Sequence, residues 1–158
     1  MSVVATQTLY DWLLFLHVLA AMIWLGGGVM LAVTAARVLR DSDPGTVGRF
    51  TATLRSTAPF VLAPATLAVL AVGIGLVVDS DAWDFGQLWV QVGVGLFAAA
   101  FLIGAAWQSR TAIASTRAAE RGDDAEARRQ LRRWLAGYGL IVLLLVVADW
   151  DMTTKPGL

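Results

Sequence analysis

Every arginine of this 158-residue chain falls on one of two segments, 37–57 and 108–134, and the stretches flanking them are apolar and long. A helix needs about 20 predominantly apolar residues to cross the hydrocarbon core of a bilayer. Four stretches meet that length, at about 10–36, 58–78, 86–107 and 134–150, the last only if residues 134–139 also lie within the membrane. Lipid offers no hydrogen-bond partners, so a spanning chain must satisfy its own amides, and consecutive helices do so. The expected fold is all-α: a polytopic membrane protein built as a four-transmembrane-helix, up-down bundle. With 58% hydrophobic residues, the chain 1–158 reads as a single integral membrane domain.

The charges predict an orientation. Between the second and third spans the only charged residues are Asp79, Asp81 and Asp84, whereas the two arginine segments are strongly basic. By the positive-inside rule the arginine segments are cytoplasmic, and both termini and the aspartate loop lie outside. The expected location is the bacterial cytoplasmic membrane, multi-pass. Tyr10, Trp12, Trp83, Trp89 and Trp150 then fall at the outer boundary, and Trp107, Trp134 and Tyr138 at the inner one, where aromatic residues favour the interface. Only Trp24 is left near mid-membrane. The first apolar stretch carries Asp11 rather than a basic n-region and exceeds the core of a signal peptide, so it reads as a retained span.

The segment 108–133 is rich in Ala, Glu, Gln and Arg and is broken only at Gly122-Asp123-Asp124. It reads as a cytoplasmic helical hairpin extension: the third helix runs on to Arg121, and Asp123 or Asp124 caps the next. At about 1.5 Å per residue this hairpin would project roughly 20 Å from the membrane. Its arginines suit anionic headgroups. Asp43-Pro44 similarly reads as a cap followed by proline at the first helical position. Pro59 and Pro64 are expected to bend the second span.

Small residues mark contact faces in membranes, because close packing drives helix association there. Gly93, Ala100 and Gly104 share a stripe, extended by Gly86; Pro59, Thr66 and Gly73 share another. The run Gly26-Gly27-Gly28 costs helix stability. It reads as a close helix crossing, or as bare backbone against which a ligand edge could lie.

His17 is the sole histidine, and an ionisable group inside a membrane is a functional hypothesis by default. Tyr10, His17 and Trp24 share one face of the first helix; Tyr138, Val142, Leu145 and Asp149 share one of the last. A neutral imidazole bonded to a backbone carbonyl or to Asp149, fixing helix registry, is one reading; a haem or metal ligand and a proton relay are the others. The candidate ligand site is therefore His17, with Asp149 as its orienting partner and Trp24, Gly26, Gly27 and Gly28 as walls; His17 is also the candidate metal ligand. One histidine rules out bis-His haem ligation within a single chain. Copper(I) would have His17 with Met22, Met30 or Met152. With no cysteine there are no disulfides or thiolate sites. Serine triads, phosphate loops, paired membrane carboxylates and aromatic-basic nucleic-acid surfaces are also missing from the sequence, so no nucleic-acid partner is expected.

The string Leu16-His17-Val18-Leu19-Ala20-Ala21-Met22-Ile23-Trp24-Leu25-Gly26-Gly27 resembles the opening helix of the superfamily of CopD-type copper-resistance proteins and HemJ-type protoporphyrinogen oxidases. The strings Gly75-Leu76-Val77-Val78 with Trp83, Leu88-Trp89-Val90-Gln91 and Asp151-Met152-Thr153-Thr154-Lys155-Pro156-Gly157 resemble an uncharacterised bacterial domain-of-unknown-function family of four-helix membrane proteins. The HemJ likeness implies a haem role for His17. It also implies a lysine after a tryptophan on a later helix, where this chain has Gln91 and Gly93 beyond Trp89. The expected function is a non-catalytic membrane component that self-associates or joins another membrane protein. The alternatives are a redox protein holding haem b through His17 and, third, a small copper transporter.

Overall fold

The computed structural model describes residues 8–43 and 45–157. Helix α1 spans Leu9–Arg40, α2 Thr46–Val78, α3 Leu88–Leu102, α4 Ser109–Glu120 and α5 Asp124–Thr154. A π-helical turn, Ile103–Gln108, joins α3 to α4 without a break. Counting α3, this turn and α4 as one, four helices of 31 to 33 residues are long and apolar enough to cross a membrane. All described regular structure is helical, as expected.

Local chemistry sets the helix ends. The hydroxyl of Thr8 accepts from the Asp11 amide while the Asp11 carboxylate accepts from the Thr8 amide, a reciprocal capping box at the start of α1. Asp123 caps α5 by accepting from the Glu126 amide, as its place after Gly122 predicts. The α2 start differs from expectation: its N-cap is Gly45, at φ 88°, with no side-chain cap. Pro44 lies outside the described residues. Asp43 instead accepts from the Thr46 hydroxyl and from Arg49 at 2.7 Å, and that guanidinium holds its carboxyl below the ordinary carboxylate value. The ion pair is therefore complete above that ordinary range and lost as pH falls through the lowered value. Helix α2 runs through Pro59 and Pro64 as one element.

Helix α1 packs on α2 and α5, α3 packs on α5, and α4 packs on α2 and α5. The two arginine segments meet at one end, where Arg128 of α5 donates to the Asp41 carbonyl at the close of α1, 2.8 Å away. At the opposite end the α2–α3 connection reaches α1, with the Trp83 indole donating to the Tyr10 hydroxyl at 3.2 Å. The α4–α5 hairpin is sealed by small residues: Ala118 and Ala127 are fully buried, and the Ser115 hydroxyl donates to the Ala127 carbonyl.

The π turn shifts the buried face of the third long helix. Gly93 and Ala100 are buried seven residues apart, so the next buried position in an unbroken helix would be Trp107. One extra residue in the turn moves burial to Gln108, then to Ser115. Trp107 is half exposed, with its indole donating to the Arg133 carbonyl at 3.1 Å. The expected stripe therefore ends at Ala100, and Gly104 has open space beside it. Deleting Ala106 should convert the turn to α-helix and rotate α4 by about 100°, exposing Ser115 and unseating the hairpin. We expect a lower unfolding midpoint and rapid proteolysis within 109–134; a midpoint at the wild-type value would show that the turn does not set the register.

Trp134 and Tyr138 turn into the bundle. Both are buried, stacked with centroids 5.5 Å apart, and Trp134 meets Phe50 edge-on. Both belong to the buried core.

Candidate functional site

Along α1 the face of Tyr10, His17 and Trp24 turns inward as its seven-residue spacing predicts. Trp24 is buried and packs edge-on against Phe97 of α3, centroids 5.6 Å apart. His17 is half-buried, and the helix it faces is α2. A Cβ placed on Gly73 would lie 3.0 Å from the imidazole Cε1 and 3.3 Å from Nδ1. The Thr66–Gly73 stripe thus receives the α1 histidine, with buried Thr66 bonding back to the Leu62 carbonyl. His17 is enclosed beside the Val69 backbone of α2, although Nδ1 makes no hydrogen bond of good geometry among the described residues.

The expected bond from His17 to Asp149 is not formed. Asp149 is exposed, while the ring of His17 is directed at α2. The buried carboxylate at this end of α5 is Asp151, 1% exposed, and neither of its oxygens has a hydrogen-bond partner among the described residues. Gly137, Leu144 and Asp151 repeat by sevens, and this is the stripe that turns toward α3. The Asp149 stripe was an equally regular choice, so only the position of α3 decides between them.

The three consecutive glycines serve three different purposes. Gly26 has open space beside it. Gly27 lies close against α2: a Cβ there would reach 3.3 Å from Leu62 Cδ2, tighter than ordinary contact, so the leucine would have to shift by a few tenths of an ångström. Gly28 is the close crossing: a Cβ there would fall 1.1 Å from the Tyr138 hydroxyl oxygen and 2.0 Å from Cζ. The phenol enters the groove that the missing side chain leaves, with its hydroxyl directed at the Trp24 carbonyl, 3.5 Å away.

These positions bear on what His17 could hold. The walls expected for a flat macrocycle are occupied by the protein itself, Trp24 by Phe97 and Gly28 by Tyr138, and His17 is wedged against Gly73. The residues present do not fit a haem. Met22 and Met30, the copper candidates on α1, are 67% and 68% exposed on faces turned away from His17, so they do not converge on it.

The aspartate end of the bundle holds a cluster that the sequence did not suggest. Lys155, the chain's single lysine, follows α5 in a left-handed conformation at φ 46°. Its ammonium lies 3.8 Å from the centroid of the Trp83 ring and 5.4 Å from that of Trp89. The two rings stand nearly perpendicular, 5.2 Å apart. Trp83 is oriented by its bond to Tyr10, and Trp89 by an indole bond to the Gln87 side chain at 3.1 Å. A legible signal was the spacing of Asp151 and Lys155, four residues apart at the end of α5, matching that of Trp89 and Gly93 on α3.

Four apolar helices of spanning length, carrying their polar loops at the two ends, define a polytopic helical membrane protein. Residues 11–156 match the model of a family described as predicted integral membrane protein (DUF2269), and the chain belongs to that family. No curated protein and no solved structure matches it.

Proposed function

We propose that the protein is a non-catalytic component of the bacterial cytoplasmic membrane that assembles with a second copy of itself or seats another membrane protein. The orientation we propose places the arginine segments in the cytoplasm, and both termini and the aspartate loop outside, following the charge asymmetry. The observation that supports this reading is an apolar groove of about 340 Å³ between α1 and α5, lined by Val29, Ala32, Val33, Ala36, Gly139 and Val142 among others. Small residues form its floor, and Gly139 has nothing within 4 Å of a Cβ position. Such a floor lets another helix approach closely, and close approach is the main source of helix affinity in lipid.

The absence of cysteine makes the test direct. Ala36→Cys and Gly139→Cys, introduced singly and oxidised in native membranes, should yield a disulfide-linked dimer, while Phe60→Cys on the exposed face of α2 should not. Gly139→Leu should fill the groove and reduce the oligomeric fraction by about tenfold, equal to about 1.4 kcal/mol of lost association. A protein that is monomeric in mild detergent and forms no crosslink at either groove position would overturn the self-association reading.

A further inference from the structure

Four independent features meet at the aspartate end of the α3–α5 seam. Asp151 is buried, and neither carboxylate oxygen has a hydrogen-bond partner among the described residues. Its Oδ2 lies 3.6 Å from the Cβ position of Gly93, one turn along α3 from Trp89. At the same end of the seam the Trp83 and Trp89 rings form two walls of an aromatic corner. That corner already holds a cation, the chain's own Lys155 ammonium. Around the rim, the α2–α3 connection contributes exposed Asp79, Asp81 and Asp84, with no basic residue among them.

We infer that this corner is a binding site for a small organic cation carrying an ammonium group, with the Trp83 and Trp89 rings as its walls, Asp151 as its counter-charge and Lys155 as the resident that the ligand displaces. Ring faces attract cations through their quadrupole, most strongly when desolvated, and methylated ammonium groups are the usual guests of aromatic corners. A buried carboxylate without a partner is unfavourable in an apolar bundle, and an arriving cation removes that cost. The aspartate rim raises the local concentration of cations and repels anions. Lys155 shows that an ammonium fits between the rings, and its αL backbone places it one turn from Asp151 without forming an ion pair. An inorganic divalent ion is a poorer match, since no group of three or more His, Cys, Asp or Glu ligands converges among the described residues. This inference stands apart from assembly through the α1–α5 groove.

The single lysine provides a clean reporter. Reductive ¹³C-dimethylation of the wild-type protein in detergent labels Lys155 and the terminal amine, which resonate apart. In the aromatic corner the Lys155 methyl signal should be shifted upfield by the ring currents. Tetramethylammonium chloride should move it saturably to the position of a free dimethyl-lysine, while sodium chloride at equal ionic strength should not. In Lys155→Met the corner is vacated, and tetramethylammonium should quench tryptophan fluorescence saturably, at lower concentration than in the wild type. Adding Trp83→Leu or Asp151→Asn to Lys155→Met should weaken that binding by about tenfold. A Lys155 signal at the free position from the outset overturns the proposal. So does an equal response to sodium and tetramethylammonium, or a monodisperse Lys155→Met protein that shows no saturable quenching.

Discussion

Gly28→Ala should be the most damaging single-methyl change in the chain, lowering stability by about 3 kcal/mol or more. The reason is geometric. The new Cβ would coincide with the Tyr138 hydroxyl, and because Cζ lies only 2.0 Å away and Cε1 2.9 Å away, trimming the phenol to Phe would not relieve the overlap. Tyr138 cannot simply swing aside, since its ring is stacked on Trp134, which in turn abuts Phe50 of α2. Relief requires α1 and α5 to separate, and with them the core contacts on both sides of the crossing. Gly26→Ala, two residues earlier, should be neutral or stabilising by about 0.5–1 kcal/mol, because it meets nothing and improves helix propensity. Thermal unfolding in detergent, followed by loss of the monodisperse elution peak, separates the two. A double-mutant cycle adds the decisive reading. Tyr138→Ala alone should cost about 3–5 kcal/mol through its cavity, and combined with Gly28→Ala the total should fall short of the sum by about 1–3 kcal/mol. Additive losses would mean that the two residues do not share the crossing.

The contrast within this glycine run shows where sequence reasoning succeeds and where it stops. That consecutive glycines signal a close crossing follows from their cost in a helix, but which of the three admits a neighbour depends on the helix opposite. His17 presents the same case. Its seven-residue spacing from Tyr10 and Trp24 correctly placed all three on one inward face, yet spacing on one helix says nothing about which helix that face meets, and the partner is α2 at Gly73 rather than α5 at Asp149. Charge was more informative. The two arginine segments do come together at one end, tied by Arg128 to Asp41, and Gly122-Asp123 marks the hairpin as predicted. The π turn leaves no such mark, because Ile-Gly-Ala-Ala-Trp-Gln contains no residue that distinguishes π from α geometry. Its consequence, burial passing from Trp107 to Gln108, could be seen only in three dimensions. Tyr138 turns inward for a related reason: spacing alone does not say which way a ring near a span's end faces, and the space left by Gly28 admits the phenol.

Asp151→Leu should stabilise the protein, by about 1–3 kcal/mol, against the usual direction of buried substitutions. Leucine keeps the γ-branched shape of aspartate and replaces two unpartnered carboxylate oxygens with methyl groups beside Gly93 and Met152, whose methyl lies 3.0 Å from the Gly93 Cβ position. Removing a buried polar group together with its need for a partner recovers its desolvation cost. Asp151→Asn should recover less, because an amide there still lacks partners. Unfolding midpoints in detergent should therefore rank Leu above Asn above wild type. If Asp151→Leu instead loses more than about 1 kcal/mol, the carboxylate is engaged in the unliganded protein and the account of an unsatisfied group is wrong. The expected ranking would carry a functional meaning. If the carboxylate is the counter-charge for a bound cation, tetramethylammonium should narrow the gap by raising the midpoint of the wild type more than that of Asp151→Leu at equal concentration.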